Sequence, residues 1–166
     1  LKKEGNIILQ IGKNFGQLHQ SVFLEEIYSI IDGPPPEINL SNEKNNGLII
    51  SKLINDKLVS SVHDISSGGM ILALAEMTFK SGYGIKINKP KNLSNLMEYY
   101  FSEDQGRYLI EIEASHLNKI LKILNENNIF SELIGTVQKN YFEILGELKI
   151  SINDLYKVNN TWYNNY

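Results

Sequence analysis

Two rhythms of apolar residues run along the chain, and the places where one gives way to the other mark its elements. Asn6 to Ile11 is a short, nearly continuous apolar run of the kind that forms a buried strand. Phe23, Ile27, Ile30 and Ile31 recur at helical spacing and predict a helix that Gly33 and the three prolines Pro34, Pro35 and Pro36 must end. The proline step reads as a rigid connector. Ser41 stands where it can cap a second helix with Leu48, Ile49, Leu53 and Ile54 inside, which Gly47 weakens by up to ~1 kcal/mol relative to alanine. Leu58 to Val62 has strand content, and Ile71, Leu74, Ala75 and Thr78 then return to helical spacing as far as Gly82. Gly84 to Ile87 predicts a short strand and Pro90 to Asn95 a surface loop.

A β-α-β unit follows: Tyr108 to Ile112, a helix with Leu117, Ile120, Leu121 and Leu124 on one side, and Leu133 to Val137. Gly146 separates two last β-type runs, Tyr141 to Leu145 and Leu148 to Ile152. Strands alternating with three or four helices predict an α/β (α+β) sandwich, one mixed sheet covered by helices. There is no internal repeat or low-complexity tract, so residues 1–166 read as a single domain.

Candidate chemistry concentrates where the rhythm breaks. In Val62-His63-Asp64-Ile65-Ser66-Ser67-Gly68-Gly69-Met70 an apolar run ends in polar residues and two glycines just before a helix. Unsatisfied N–H groups and the positive end of the helix dipole meet at such a turn, and glycines let the backbone approach an anion closely. Ser66 or Ser67 can cap the helix. The alternative is a capped turn with a satisfied histidine and no ligand. His63 itself can act as a base near neutral pH or orient the loop.

The second polar segment is Phe101-Ser102-Glu103-Asp104-Gln105-Gly106-Arg107-Tyr108, and Arg107 is the single arginine among 16 basic residues. A guanidinium forks onto phosphate or carboxylate as lysine cannot. An internal ion pair with Glu103 or Asp104 is the competing reading. His19 and His116 have no supporting constellation and read as surface or loop residues.

Composition narrows the classes. With 166 residues and 42% hydrophobic content the chain can bury one core. It has no cysteine, which excludes thiol chemistry and disulfides. A net charge of −3 and a pI near 5.6 argue against a nucleic-acid partner. No apolar stretch approaches the roughly 20 residues that span a bilayer, and nothing resembles a signal peptide, so a cytoplasmic protein without a membrane partner is expected. The chain starts Leu1-Lys2-Lys3 and enters a β-type run within a few residues, which suggests a piece of a longer polypeptide.

Four motifs occur in one order: Gly16-Gln17-Leu18-His19-Gln20-Ser21, Gly33-Pro34-Pro35-Pro36, His63-Asp64-Ile65-Ser66-Ser67-Gly68-Gly69-Met70 with Ala73-Leu74-Ala75-Glu76-Met77, and Glu103-Asp104-Gln105-Gly106-Arg107. That order resembles the last domain of the phosphoribosylformylglycinamidine synthase family, within the aminoimidazole ribonucleotide synthetase-like superfamily. The resemblance runs from Glu4-Gly5-Asn6-Ile7-Ile8 to Thr161-Trp162-Tyr163, which looks like the family's C-terminal tail. The family usually has glycine at the place of His19 and aspartate at that of Ser67, so no role is carried over to Ser67.

The resemblance implies the C-terminal-domain fold of that superfamily, in an ATP-dependent amidoligase that converts formylglycinamide ribonucleotide to its amidine in purine biosynthesis. It implies ATP and Mg²⁺ in the full-length enzyme and none bound by this part alone. Its partners would be upstream ATP-binding domains of the same enzyme, a glutaminase subunit and a small accessory subunit. A pocket for an anion or nucleotide is expected from His63, Asp64, Ser66, Gly68, Gly69, Glu103, Gln105 and Arg107, with no catalytic residue and no metal ligand. Two alternatives are a non-catalytic structural or pseudo-site domain of that enzyme, and the equivalent domain of a relative such as aminoimidazole ribonucleotide synthetase or selenophosphate synthetase. A shared pocket requires the His63 to Gly69 turn and the Glu103 to Arg107 segment on one edge of the sheet.

Overall fold

The computed structural model describes residues 1–79, 81–90 and 95–164. Its elements are β1 (Ile7–Ile11), α1 (Val22–Tyr28), α2 (Leu40–Asn55), β2 (Ser61–Asp64), α3 (Gly69–Thr78), β3 (Tyr83–Ile87), α4 (Leu96–Phe101), β4 (Tyr108–Ile112), α5 (Leu117–Glu126), β5 (Ser131–Lys139), β6 (Tyr141–Ile144), β7 (Leu148–Ser151) and α6 (Ile152–Asn164). The strands form one mixed sheet in the order β2-β4-β1-β5-β3-β6-β7. Every pairing is antiparallel except β3 with β6. The expected β-α-β unit is present as β4-α5-β5, but split, with β1 inserted between its two strands.

Successive strand residues face opposite sides, so the sheet carries an apolar layer on each face. On one side Ile8, Ile85, Ile87 and Leu109 pack with Met70 and Leu74 of α3 and with Tyr99 and Tyr100 of α4. On the other, Leu9, Ile11, Ile110 and Ile112 pack with Ile49, Ile50 and Leu53 of α2 and with Ile120 and Leu124 of α5. Each such side chain contributes about 1.5–3 kcal/mol through removal from water.

Several local expectations need correction. Helix α1 stops at Tyr28, because Ser29 turns left-handed, so Ile30 and Ile31 lie beyond it. The cap of α2 is Asn39, whose side chain accepts the N–H of Asn42, and Ser41 lies within the helix. Its inner face is Asn46, Ile49, Ile50 and Leu53, while Leu48 and Ile54 face outward. Strand β2 begins three residues later than expected and includes His63 and Asp64. Helix α4 was not foreseen, and Ile152 opens α6 instead of closing a strand. Of the expected loop from Pro90 to Asn95, residues 91–94 lie outside the described residues.

Candidate functional site

Strand β2 ends at Asp64 opposite Tyr108, where β4 begins. This antiparallel register carries the 65–68 turn and the 102–107 segment to the same end of the sheet, and the Ile65 N–H donates to the Arg107 carbonyl at 2.9 Å. The two segments therefore share an edge, as a common pocket requires. Gly68 and Gly69 both have positive φ, at 79° and 69°. At Gly69 a Cβ would sit 2.6 Å from the Phe101 carbonyl carbon and 2.7 Å from the Ser102 oxygen. The start of α3 is wedged against the end of α4, which only glycine permits.

The anion at the start of α3 is part of the chain itself. Neither Ser66 nor Ser67 caps the helix; both side chains are exposed and α3 has no side-chain cap from its own N-cap residue, Gly68. Instead Glu103 Oε1 accepts the Gly68 N–H at 2.8 Å and the Val22 N–H at 2.9 Å. One carboxylate thus satisfies the leading N–H groups of α1 and α3, the favourable place for negative charge on both helices.

Arg107 is turned inward. Its side chain is wholly shielded from solvent, and it donates through Nε to the Asp104 carbonyl at 3.2 Å and through a terminal nitrogen to the Ser102 carbonyl. The Asp104 carboxylate lies 3.9 Å from the guanidinium and accepts the Phe15 and Gly16 N–H groups at 3.0 and 3.2 Å. Burial holds the guanidinium below its ordinary pKa, against the opposing pull of Asp104, Glu103 and Tyr99. Of the two sequence readings, the geometry is that of an internal hydrogen-bonded group. No fork is presented to an outside anion.

Beside these segments lies an open cavity of about 420 Å³. Asp64, Ser66, Ser67, Glu103, Gln105 and Tyr108 line it, together with Glu43 of α2 and with Gln20, Pro35 and Pro36 of the connection between β1 and α2. Its exposed character is acidic and hydroxylic. The Tyr108 phenol is pushed up first by burial and then by Glu43 and Asp64, which reports the same negative field. Among the described residues no group of three or more histidine, cysteine, aspartate or glutamate side chains is placed to hold a metal ion.

The predicted site residues therefore separate. Asp64, Ser66, Glu103, Gln105 and Arg107 line the cavity, Arg107 with its side chain buried, whereas His63, Gly68 and Gly69 do not line it. His63 faces α3, its Nε2 2.9 Å from Glu76 Oε2, and so ties β2 to that helix. His116 Nδ1 lies 3.2 Å from the Leu58 carbonyl, and the exposed His19 stands against Gly33. Glu43, Gln20 and the proline pair as cavity walls were not foreseen. The proline step was legible as a rigid connector, but nothing in the spacing says which turn it faces.

Three kinds of likeness accompany this geometry. Residues 3–145 match the family model described as AIR synthase related protein, C-terminal domain. The chain is 48% identical over all 166 residues to phosphoribosylformylglycinamidine synthase subunit PurL of Pelagibacter ubique, and covers 23% of that protein. It is 37% identical over 161 residues to the corresponding subunit of Bartonella bacilliformis, 97% of this chain and 22% of that protein. Among solved structures, T. maritima PurL complexed with FGAR superposes with a TM-score of 0.77 at 18% identity, over 93% of this chain and 28% of that one. At that identity the superposition speaks for the fold. The chain spans less than a quarter of the length of these curated relatives. No helix among the described residues is long and apolar enough to cross a membrane.

Proposed function

The chain belongs to the AIR synthase related protein C-terminal domain family, and from that premise we propose that it is the C-terminal domain of a phosphoribosylformylglycinamidine synthase. In this reading it is one part of an ATP-dependent amidoligase that makes an amidine from formylglycinamide ribonucleotide in purine biosynthesis, in the cytoplasm. The observation that carries the reading is the 48% identity to a PurL subunit, which leaves no part of the 166 residues unmatched. Solved T. maritima PurL structures complexed with FGAR, with ATP and with ADP, and a T. maritima PurLQS structure, support the substrate, the nucleotide and the assembly with further subunits.

The cavity contributes one wall of a cleft. Its exposed charges are carboxylates, the chain's one arginine is committed inside, and Glu103 already occupies the N–H groups at the start of α3. These residues do not fit a Mg²⁺-polyphosphate by themselves, so we assign Mg²⁺-ATP to the remaining three-quarters of the polypeptide. Asp64, Ser66, Ser67 and Gln105 are suited to accept or donate hydrogen bonds to the neutral, N–H- and hydroxyl-bearing parts of a substrate, and none is assigned a catalytic role. A cleft with one wall cannot pre-organise reactants.

The test is turnover. The full-length polypeptide carrying this chain, supplied with formylglycinamide ribonucleotide, ATP, Mg²⁺ and ammonia, is expected to form the amidine, and the 166-residue chain alone is expected to form none. Absence of amidine from the full-length protein would remove the amidoligase reading. Turnover by the chain alone would remove the one-wall reading.

A further inference from the structure

Between β1 and α2 the chain leaves the sheet for the stretch that carries α1 and the three prolines. Residues 18–38 fold largely on themselves. Ser21 caps α1 by accepting the Leu24 N–H, the Gln20 side chain donates to the Gly33 carbonyl at 2.9 Å, and the Ile30 N–H donates to the Leu24 carbonyl. Gln20 and Ser29, at the two ends of α1, adopt left-handed backbone at φ 59° and 55° without being glycine.

The ties of this segment to the body are few. Helix α1 buries none of its seven residues. From Ile31 to Ile38 no backbone hydrogen bond reaches the body among the described residues. Toward the body, the Val22 N–H donates to Glu103, Phe23 stacks on Phe101 with ring centroids 4.4 Å apart, and Ser21 is buried at the foot of α1, while Val22, Phe23, Glu26 and Ile27 border an open apolar groove shared with α3. The roots of the segment are firm, since the Gln17 carbonyl accepts the Glu103 N–H at 3.1 Å and Asn39 caps α2. Glu103 thus fixes the first root through its backbone and the start of α1 through its carboxylate. The same segment supplies Gln20, Pro35 and Pro36 to the cavity.

We propose that residues 18–38 form a strap, rooted at Gln17 and Asn39 and latched to the start of α3 by the Glu103 carboxylate, and that this strap is the movable wall of the polar cavity. Releasing the latch swings Gln20, Pro35 and Pro36 away from Asp64, Ser66 and Gln105 while the sheet and both apolar layers stay in place. Glu103 is then a positioning residue that sets the width of the cavity. The inference rests on contacts within the chain, so it stands or falls independently of the amidoligase reading.

Val22→Pro isolates the latch. Val22 is the first helical residue, a position that accepts proline, and Ser21 at φ −84° and ψ 150° already has the extended backbone required before proline. The substitution removes the N–H that Glu103 holds and leaves α3 untouched. Hydrogen exchange read by mass spectrometry on the full-length polypeptide that carries this chain is expected to show the amides of residues 23–33 exchanging about tenfold faster than in the unaltered protein, the equivalent of one charge-assisted hydrogen bond. Amides of β1, β4 and the interior of α3 are expected to keep their rates. Glu103→Ala is expected to loosen residues 23–33 to the same degree and also the first turn of α3. Should that variant fail to fold, Val22→Pro decides alone. Unchanged strap exchange in Val22→Pro, a rise in the sheet that matches the strap, or a strap already exchanging as free peptide in the unaltered chain would each overturn the proposal.

Discussion

The Arg107 side chain, one residue before β4, turns inward and donates to the carbonyls of Ser102 and Asp104. Its two donor arms hold the chain reversal between α4 and β4, and Asp104 passes the hold on to Phe15 and Gly16. A lysine there keeps the charge, but one ammonium cannot reproduce the guanidinium fork in a place where both carbonyls are buried. Arg107→Lys is expected to lower stability by about 1–3 kcal/mol. A urea midpoint within the error of the unaltered chain would show that the arginine is incidental. The isolation of one arginine beside two carboxylates was legible in the sequence. Its direction was not, because residue 107 precedes the strand and the face it takes depends on register with β1 and β2.

The elements that could be read share one property: their apolar residues repeat often enough to fix a period. β1, β3, β4 and α5 show it, and their residues occupy the faces expected of them. α4 has only six residues, too few for a helical period to emerge from the aromatic run Tyr99-Tyr100-Phe101. α6 is mostly polar and packs through Leu155 and through Tyr156 against Phe79, so its apolar signal is sparse. α1 failed differently, since Ile30 and Ile31 continue its spacing while the backbone turns away at Ser29. What no spacing reveals is the close approach of elements. Gly69 shows it, and its substitution separates two costs. Gly69→Ala must bear both a left-handed φ and a collision with the end of α4, and is expected to cost about 2–4 kcal/mol. Gly82→Ala has a similar φ of 74° but open space around it, and is expected to cost only about 1 kcal/mol. Equal losses of thermal stability in the two variants would show that α3 is not wedged against α4.

At the scale of the whole molecule, one sheet serves two apolar layers, so neither layer can be lost while the other keeps its strands. Both layers carry phenols, two buried on one side and one half-buried on the other. Tyr99 and Tyr100 belong to the α3 and α4 side, and Tyr108 packs against the α2 and α5 side. All three are held above the ordinary tyrosine pKa, in each case first by burial. Glu132 adds to the effect at Tyr99, where its carboxylate accepts the phenol at 3.0 Å. Tyr108 is further raised by Glu43 and Asp64 of the cavity. A folded pKa above the unfolded value stabilises the fold fully while both states keep their protons, and that contribution is lost as pH rises and the unfolded chain begins to ionise. Unfolded tyrosines ionise near pH 10, which sets the window. The urea midpoint is therefore expected to be unaffected by these groups below about pH 9 and to fall steeply above about pH 10. Because the strands are shared, the fall is expected in one transition, with near-ultraviolet and far-ultraviolet circular dichroism changing together. A midpoint that holds to pH 11 would mean that the phenols ionise in place. Near-ultraviolet dichroism lost before the far-ultraviolet signal would mean that one layer opens without the other.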